Sequence, residues 1–446
     1  MIKLLENNRT IFFILLIGTL IRLIINNILE LPYFVDVRAY EKAGFEILNN
    51  FRIERNILMP LYGIIVFLNK KFFDLNLFNI IFSIINIYLV YLISYKIFED
   101  RLTSNIGALI MSIYPFNVFY ALSGFSETFF ITLLLSGFYF LFKKQFILSY
   151  IFFVLSILTR PLGELVFPFV ILYFLIVIFK YNKKLIIINF LKYTVIYIII
   201  MSPWWYHNYI KYENFVRLNL SLNYMLYVGN NKNNKSGGGV IIDEDDLRKF
   251  PERFKVTHSD YDFEIFKNRP GFENKIDYVD EKGDVFSFTI GYSSGQVDPG
   301  LDRDLSKVVR KKGLENFILR NTQFKSEALK FISNNPEIFL KNAFIKFKRF
   351  WSPIPFAHEF RRNLFFTSVS FLSFSFLLFF SIMGVALNRN WLNLKLIPFY
   401  VIIIYTSLIH MILVSSIRYR FVIEWIMIIT ASYSINFLIK KFFNFK

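Results

Sequence analysis

The sequence has no cysteine, only four histidines and no nucleotide-binding loop, and each absence excludes a class of function. Without cysteine the chain forms no disulfide and offers no thiolate to a metal ion. The histidines do not approach metal-ligand spacing, so the sequence predicts no zinc site. Neither a Walker loop nor a Rossmann glycine pattern is present, which removes the common signatures of nucleotide binding.

Apolar residues are abundant instead. They make up 55% of the 446 residues, and the mean hydropathy is +0.45. A soluble domain of this size needs more polar surface, so the excess apolar mass must face lipid. The net charge of +18 does not indicate a nucleic-acid partner, because Lys and Arg lie in short clusters between apolar runs. That arrangement is typical of the cytoplasmic loops of membrane proteins.

The apolar runs predict an all-α integral membrane protein with about ten transmembrane helices, since a span needs roughly 20 apolar residues. The basic clusters between the runs fall on one side, which places both termini in the cytoplasm. The candidate spans are about 10–28, 76–97, 103–122, 127–142, 146–162, 164–180, 185–203, 363–387, 396–415 and 421–439.

Three regions follow from these spans. Residues 1–202 hold helices 1–7 and a first outer loop at about 30–75; residues 203–362 form a large extracytoplasmic loop domain; residues 363–446 hold helices 8–10. Within the loops, the apolar piece Leu61–Leu68 and the amphipathic stretch Phe324–Trp351, broken near Pro336, predict interfacial juxtamembrane helices.

The composition of Asn230–Gly239 (NNKNNKSGGG) predicts a flexible connector within the large loop.

Ionisable residues at a membrane boundary are costly and therefore indicate function. All but two of the candidates fall in the first outer loop or at outer ends of spans; Arg22 and Glu424 lie within spans. The group suits an anionic lipid head group, because arginines hold phosphate in bidentate geometry and a carboxylate remains as base. The candidates are Arg22, Asp36, Arg38, Arg55, Glu127, Arg160, Glu164, Arg418, Arg420 and Glu424.

Several of these residues also have a structural interpretation. Arg22 can pair or snorkel within its helix, and Glu127 can interact with the positive end of a helix dipole. Arg418-Tyr419-Arg420 can anchor a helix at the interface. Asp36 has no evident capping role, which favours function there.

Short motifs along nearly the whole chain give this arrangement a family resemblance. They are Asp36 followed by Tyr40, Arg55 with Pro60, Glu127, Leu158-Thr159-Arg160-Pro161, Pro203-Trp204 with Asn208-Tyr209, Val228-Gly229-Asn230-Asn231, Asn335-Pro336, Lys348 with Phe350-Trp351, and Arg418-Tyr419-Arg420. In this order they resemble the GT-C superfamily of polytopic glycosyltransferases, within it the bacterial protein-mannosyltransferase-like and aminoarabinose-transferase-like group.

The resemblance implies an inverting glycosyltransferase of the bacterial inner membrane, with its active site facing the periplasm or exterior. Its donor would be a polyprenyl-phosphate-linked sugar, and its acceptor a hydroxyl of a lipid, a glycan or a protein. A divalent cation stays open as cofactor. The implied catalytic residues are Asp36 and Glu127, the implied donor-phosphate ligands are Arg55, Arg160, Arg418 and Arg420, and the implied supporting residues are Arg38, Tyr40 and His207.

The sequence departs from the group at three positions. His207 stands where the group usually has arginine, Val37 replaces an acidic neighbour of the first-loop aspartate, and Arg55 stands where the group more commonly has lysine. Two other functions remain open: a lipid-linked-sugar flippase or polysaccharide exporter, and a polysaccharide polymerase. The missing internal repeats count against transport.

Overall fold

The computed structural model describes residues 9–29, 31, 34–51, 53, 58–72, 75–231, 234, 237–238, 255–256, 273–279, 285–291, 296–297, 315–355, 363–387 and 394–442. The chain divides into two compact units. The first unit comprises Met1–Trp204, Val369–Thr406 and Phe421–Lys446, and the second comprises Trp205–Ser368 and Ser407–Arg420.

Helices occupy all ten predicted spans. In chain order the helices up to the large loop are α1 Thr10–Ile28, α2 Val35–Asn50, α3 Pro60–Phe72, α4 Leu75–Phe98, α5 Arg101–Ile113, α6 Pro115–Leu122, α7 Ser126–Phe142, α8 Phe146–Thr159, α9 Phe167–Ile178, α10 Lys183–Tyr212 and α11 Ser221–Gly229. After it come α12 Glu315–Asn334, α13 Pro336–Phe350, α14 Leu364–Leu387, α15 Ile397–Ile412 and α16 Ile417–Phe442.

The helices support a membrane-embedded protein. Among the described residues α1, α4, α10, α14 and α16 are long and apolar enough to cross a membrane, and the bent pair α5–α6 makes a sixth. The helices α7, α8, α9 and α15 have 17, 14, 12 and 16 residues. At about 1.5 Å per residue they are shorter than the hydrocarbon core of about 30 Å. Ten complete spans therefore remain a prediction.

The first unit has an aromatic core around α7. Most residues of this helix are buried, so it is enclosed by protein. The ring of Phe138 packs against those of Phe399 and Trp425, with centroids 4.8 and 5.8 Å apart. The Phe138–Phe399 pair is edge-to-face, a geometry that adds to the free energy gained by burying the rings. The core thus holds the beginning of α7, which carries Ser126 and Glu127, on a rigid element.

The second unit contains the only strands that the described residues form. They are β1 Lys255–Val256, β2 Glu273–Val279, β3 Val285–Gly291 and β4 Gln296–Val297, in one antiparallel sheet of order β1-β2-β3-β4. The polar sequence here did not predict this sheet. The predicted break at Pro336 is confirmed, because α12 ends at Asn334 and α13 begins at the proline, where its missing N–H costs no hydrogen bond.

Candidate functional site

The segment predicted as the first outer loop contains a helix, α2, which the sequence pattern did not predict. Its first residues lie beside the turn that precedes α7, because the ring of Phe34 packs on that of Phe125 with centroids 4.7 Å apart. Six residues after Phe34, the hydroxyl of Tyr40 lies 3.4 Å from that of Ser126. The beginning of α2 is thereby placed against the first residues of α7.

Tyr40 is supported by a second aromatic side chain. The ring of Tyr62 on α3 meets it edge-to-face, with centroids 5.0 Å apart. The hydroxyl of Tyr62 donates to the carbonyl of Gly124 and accepts from Asn79 Nδ2. Gly124 has φ +72°, a conformation that favours glycine, so this tight turn and its contact depend on the residue type.

An ion pair lies at the beginning of α7. Arg160 Nη1 is 2.8 Å from Glu127 Oε1 and donates to Ser126 Oγ at 3.0 Å. The Glu127 side chain is fully buried, whereas that of Arg160 is 15% exposed. The acidic group also lies in the first turn of its helix, where the dipole favours negative charge. The two predicted site residues are therefore in direct contact, with Arg160 as the solvent-facing member.

Asp36 lies on the same side of α2 as Tyr40, since residues four apart share a helix face. It is partly buried and belongs to the first turn of α2. The helix thus directs Asp36 and Tyr40 to the side where Phe34 and Tyr40 meet Phe125 and Ser126. Hydrogen bonds and an ion pair join Tyr40, Ser126, Glu127 and Arg160, and Asp36 lies one turn before Tyr40 on the same face of α2; these five residues are here called the α2–α7 cluster.

Two other predicted residues are not part of this cluster. Arg38 is exposed and lies two residues from Asp36, which turns it away from the face that carries Asp36 and Tyr40. Arg55 lies outside the described residues, although Pro60 after it begins α3 and is buried. Its predicted role in binding the donor phosphate is therefore untested by the structure.

The turn after Arg160 carries another buried carboxylate. Glu164 is 7% exposed, and its Oε1 accepts a hydrogen bond of 2.6 Å from the hydroxyl of Tyr197. A hydroxyl donor stabilises a buried carboxylate, so Glu164 holds α10 to the turn between α8 and α9. This contact gives Glu164 a structural role.

His207, Arg418 and Arg420 belong to the second unit. His207 is buried, and its Nδ1 lies 3.0 Å from Asn208 Oδ1. The Nδ2 of Asn208 in turn donates to the carbonyls of Val216 and Leu218, which closes the turn after α10. Asn208 of the motif Pro203-Trp204 with Asn208-Tyr209 therefore shapes the turn.

Arg420 acts as a structural cation in the second unit. Its side chain is fully buried, and its Nη1 donates to the carbonyls of Phe350, at 3.0 Å, and Ser352. Phe350 is the last residue of α13 and Ser352 lies two residues beyond it. A cation at this position compensates the negative end of the helix dipole. Arg418 is only partly buried, so of the two arginines it is the one open to solvent.

The motif that contains Gly229 and Asn230 meets α13 and the end of α15 at Lys346. The Nζ of this fully buried lysine donates to Asn230 Oδ1 at 3.0 Å and to the carbonyl of Ile412 at 3.1 Å. Asn230 Nδ2 donates to the same Ile412 carbonyl at 2.8 Å. A Cβ at Gly229 would lie 2.1 Å from the Leu413 carbonyl oxygen, so only glycine allows this approach.

The predicted flexible connector is ordered where the structure describes it. Asn230, Asn231 and Asn234 are buried, and Asn234 bonds to the backbone of both Gly237 and Gly238. The asparagine side chains pair with backbone groups, which a composition-based prediction does not see.

Burial changes the ionisation of the cations in α13. Desolvation lowers the pKa of Lys346 to about 7 and that of Arg349 to about 10. Arg349 Nε donates to the carbonyl of Ser415 at 2.9 Å, next to the segment that precedes α16. The motif Lys348 with Phe350-Trp351 indicated Lys348, which is exposed in the structure. The buried lysine is Lys346, two residues earlier, and helical amphipathicity does not predict the burial of a lysine.

The α2–α7 cluster can perform acid–base chemistry and bind an oxyanion. It holds a partly buried carboxylate, two hydroxyls and an arginine whose position is set by a buried glutamate. Among the described residues no three His, Asp or Glu side chains lie close enough together to hold a metal ion. The sequence did not predict Ser126 as a site residue, although its hydroxyl contacts both Tyr40 and Arg160.

Comparisons with family models, with curated proteins and with solved structures found no match to this chain.

Proposed function

We propose that the chain is a glycosyltransferase that moves a monosaccharide from a polyprenyl-phosphate donor to an acceptor hydroxyl, with inversion. The observation that carries the proposal is the α2–α7 cluster within an apolar helical unit. It combines a carboxylate, Asp36, with an arginine positioned by a buried ion pair. A substrate that is both lipid and anion suits such a place, because its chain dissolves in the membrane while its phosphate needs donors.

In the proposed reaction Asp36 takes the proton from the acceptor hydroxyl. The acceptor oxygen attacks the anomeric carbon from the face opposite the phosphate, so a new C–O bond forms as the bond to the phosphate oxygen breaks. The phosphate leaves with the electron pair, and arginine donors stabilise the charge that its oxygen gains.

Glu127 limits what Arg160 can contribute. Because the carboxylate neutralises the guanidinium, Arg160 supplies directed hydrogen bonds to the phosphate and little net charge. Arg55 is the proposed source of the remaining positive charge. Arg420 is left out of the phosphate site, since its guanidinium is engaged at the end of α13.

Transport of a lipid-linked sugar is the competing function, since a flippase also needs arginines near a membrane boundary. A polymerase would use the same chemistry on whole oligosaccharide units. The carboxylate favours transfer over transport, because translocation has no hydroxyl proton to remove.

The test uses purified protein in lipid nanodiscs, radiolabelled polyprenyl-phosphate monosaccharides and a membrane extract as acceptor. We expect Asp36→Asn to lower transfer at least about 10³-fold, within the range for loss of a general base. The matched control is Glu41→Gln, a carboxylate on another face of α2, which should keep wild-type transfer.

Equal transfer by Asp36→Asn and wild type would reject the mechanism. Donor-dependent lipid translocation in liposomes, without any labelled product, would establish the flippase instead. Turnover of diphosphate-linked oligosaccharide in preference to the monophosphate donor would establish the polymerase.

A further inference from the structure

The helices α5 and α6 are two halves of one apolar stretch that bends by 52°. The bend lies at Tyr114 and Pro115, between the two halves. Proline has no N–H, so the carbonyl of Met111, four residues earlier, loses its helical donor. Asn117 Nδ2 takes that place and donates to Met111 O at 2.8 Å. A side chain thus replaces the missing backbone bond.

Arg22 supports the same bend from α1. Its Nη1 donates to Ser112 O at 3.0 Å and to Gly18 O at 2.8 Å, while its Nε donates to Ser83 Oγ at 2.9 Å. Ser83 Oγ donates in turn to Asn117 Oδ1 at 3.4 Å. Arg22, Ser83 and Asn117 therefore form one connected network around the two carbonyls at the break.

The charge of Arg22 fits this position. The side chain is fully buried, and its partners are a hydroxyl and two carbonyls. Ser112 belongs to the last turn of α5, where the carbonyl end of the helix carries partial negative charge. A Cβ at Gly18 would lie 2.8 Å from Ile87 Cδ1 and 3.4 Å from Arg22 Nη1, so the glycine leaves room for the guanidinium.

A buried carboxylate holds the bend from the other side. Glu424 of α16 is 1% exposed, and its Oε2 accepts a hydrogen bond of 2.9 Å from the hydroxyl of Tyr114. Tyr120 of α6 stacks on Phe421, one turn before Glu424, with centroids 4.2 Å apart. The two ionisable residues within the predicted spans, Arg22 and Glu424, are thus attached to one break, at residues 112 and 114.

The bend controls the direction in which α6 leaves α5. Only residues 123–125 separate α6 from α7, and Tyr62 holds this turn through the carbonyl of Gly124. The orientation of α6 therefore determines where Ser126 and Glu127 lie.

We infer that Arg22 and Glu424 are positioning residues: they fix the bend at Tyr114 and Pro115 and thereby hold Ser126 and Glu127 in the α2–α7 cluster. The inference rests on the proposed function only for its effect on turnover. Each acts on the cluster through α6.

The test measures backbone hydrogen–deuterium exchange of residues 114–127 in nanodiscs, which needs no enzymatic activity. Arg22→Met and Asn117→Ala should each speed exchange in this segment about tenfold, because carbonyls at the break lose their donors. Tyr114→Phe should give a smaller increase. The matched control is Ser149→Ala, which removes a buried hydrogen bond to Gly137 in the same unit and away from the bend.

Turnover then separates positioning from a merely structural role. Under the proposed transfer reaction, folded Arg22→Met should lose kcat about tenfold or more with KM nearly unchanged, and Arg22→Lys should recover part of it. A structural role alone would lower the yield of folded protein and leave kcat per folded molecule at the wild-type value.

Unchanged exchange in 114–127 for folded Asn117→Ala and Arg22→Met would overturn the inference. An increase in exchange that is equal in all helices would also overturn it, and so would an equal increase in residues 114–127 of Ser149→Ala. If Arg22→Met does not insert into the membrane, exchange in Asn117→Ala and Tyr114→Phe tests the inference instead. If the wild-type protein transfers no sugar, the proposed function is rejected, but the exchange measurement still tests whether Arg22 and Glu424 fix the bend.

Discussion

The buried ionisable side chains are mostly acidic in the first unit and basic in the second. In the described part of the first unit the buried charged side chains are Arg22, Glu46, Glu127, Glu164 and Glu424, of which four are acidic. In the described part of the second unit they are Lys211, Lys346 and Arg420, all of them cations. Burying any charge is costly, so each unit must compensate in its own way.

The two units also differ in which groups stabilise their buried ionisable side chains. In the first unit the carboxylates meet side chains: Arg160 pairs with Glu127, Tyr197 with Glu164 and Tyr114 with Glu424. In the second unit Lys346 and Arg420 donate to carbonyls near the ends of α15 and α13. Cations at helix ends support architecture. Carboxylates paired with side chains can exchange a partner for a substrate, so we expect chemistry in the first unit and scaffolding in the second.

Among the changes that test this comparison between the units, Glu127→Gln has the largest expected effect. It leaves the buried side of Arg160 without its counter-charge, which we expect to cost about 3 kcal/mol of stability. Transfer per folded molecule should also fall about 10²-fold, because Arg160 loses the partner that orients it. Thermal unfolding and labelled-donor turnover, both in nanodiscs, measure the two losses.

A double-mutant cycle sharpens this result. With Arg160→Met as the second change, the stability losses should be strongly non-additive, since either change alone breaks the same pair. Additive losses would show that the pair at 2.8 Å contributes no coupling. Full turnover in Glu127→Gln would contradict the assignment of chemistry to the first unit.

Lys346→Met has the next largest expected effect. Because Lys346 belongs to the second unit, which we expect to act as scaffold, the change should lower stability without lowering turnover per folded molecule. Because burial lowers the pKa of Lys346 to about 7, the folded protein binds one proton fewer than the unfolded chain between pH 7 and about 10.5. Stability should therefore rise with pH in that window, by at most about 1.4 kcal/mol per pH unit. The variant lacks the titrating amine and should lose this slope.

Melting temperatures of both proteins from pH 6.5 to 9.5 measure the slope. The deficit of Lys346→Met relative to wild type should widen as the pH rises, while turnover per folded molecule stays at the wild-type value. A variant that keeps the wild-type slope would assign the titration to another group. Loss of turnover in folded Lys346→Met would break the division between the two units.

The sequence predicted the helical membrane architecture well because long apolar runs leave little choice. The predicted run 10–28 matches α1, and 363–387 matches α14 to within a residue at either end. The bend in 103–122 was missed, although Pro115 is a local signal for it. The helix α2 was missed because it carries no apolar run, and its face is defined by Phe34 and Tyr40 contacting residues far away in the chain.

The candidate site was predicted in part. Glu127 and Arg160 were both named, but their contact depends on how α7 and the end of α8 pack, which no local pattern encodes. The contact of Arg420 with the end of α13 could not be predicted, because an arginine at a boundary has the same sequence signal whether it caps a helix or binds a ligand; binding of phosphate by Arg420 stays a prediction. Lys346 was overlooked since sequence does not reveal which lysine of α13 is buried.

The smallest expected effect is that of Lys395→Ala, which tests whether an ion pair must be buried to contribute to stability and turnover as the Glu127–Arg160 pair is expected to do. Lys395 and Glu99 also form an ion pair in the first unit, with Nζ and Oε1 3.1 Å apart, but their side chains are 39% and 78% exposed. Because water screens such a pair, Lys395→Ala should change stability by less than about 1 kcal/mol and leave turnover unchanged. Its melting temperature should lie close to wild type, in contrast to Glu127→Gln. A loss as large as that of Glu127→Gln would mean that the sign and burial of the charges do not distinguish the functional pair from its surface counterpart.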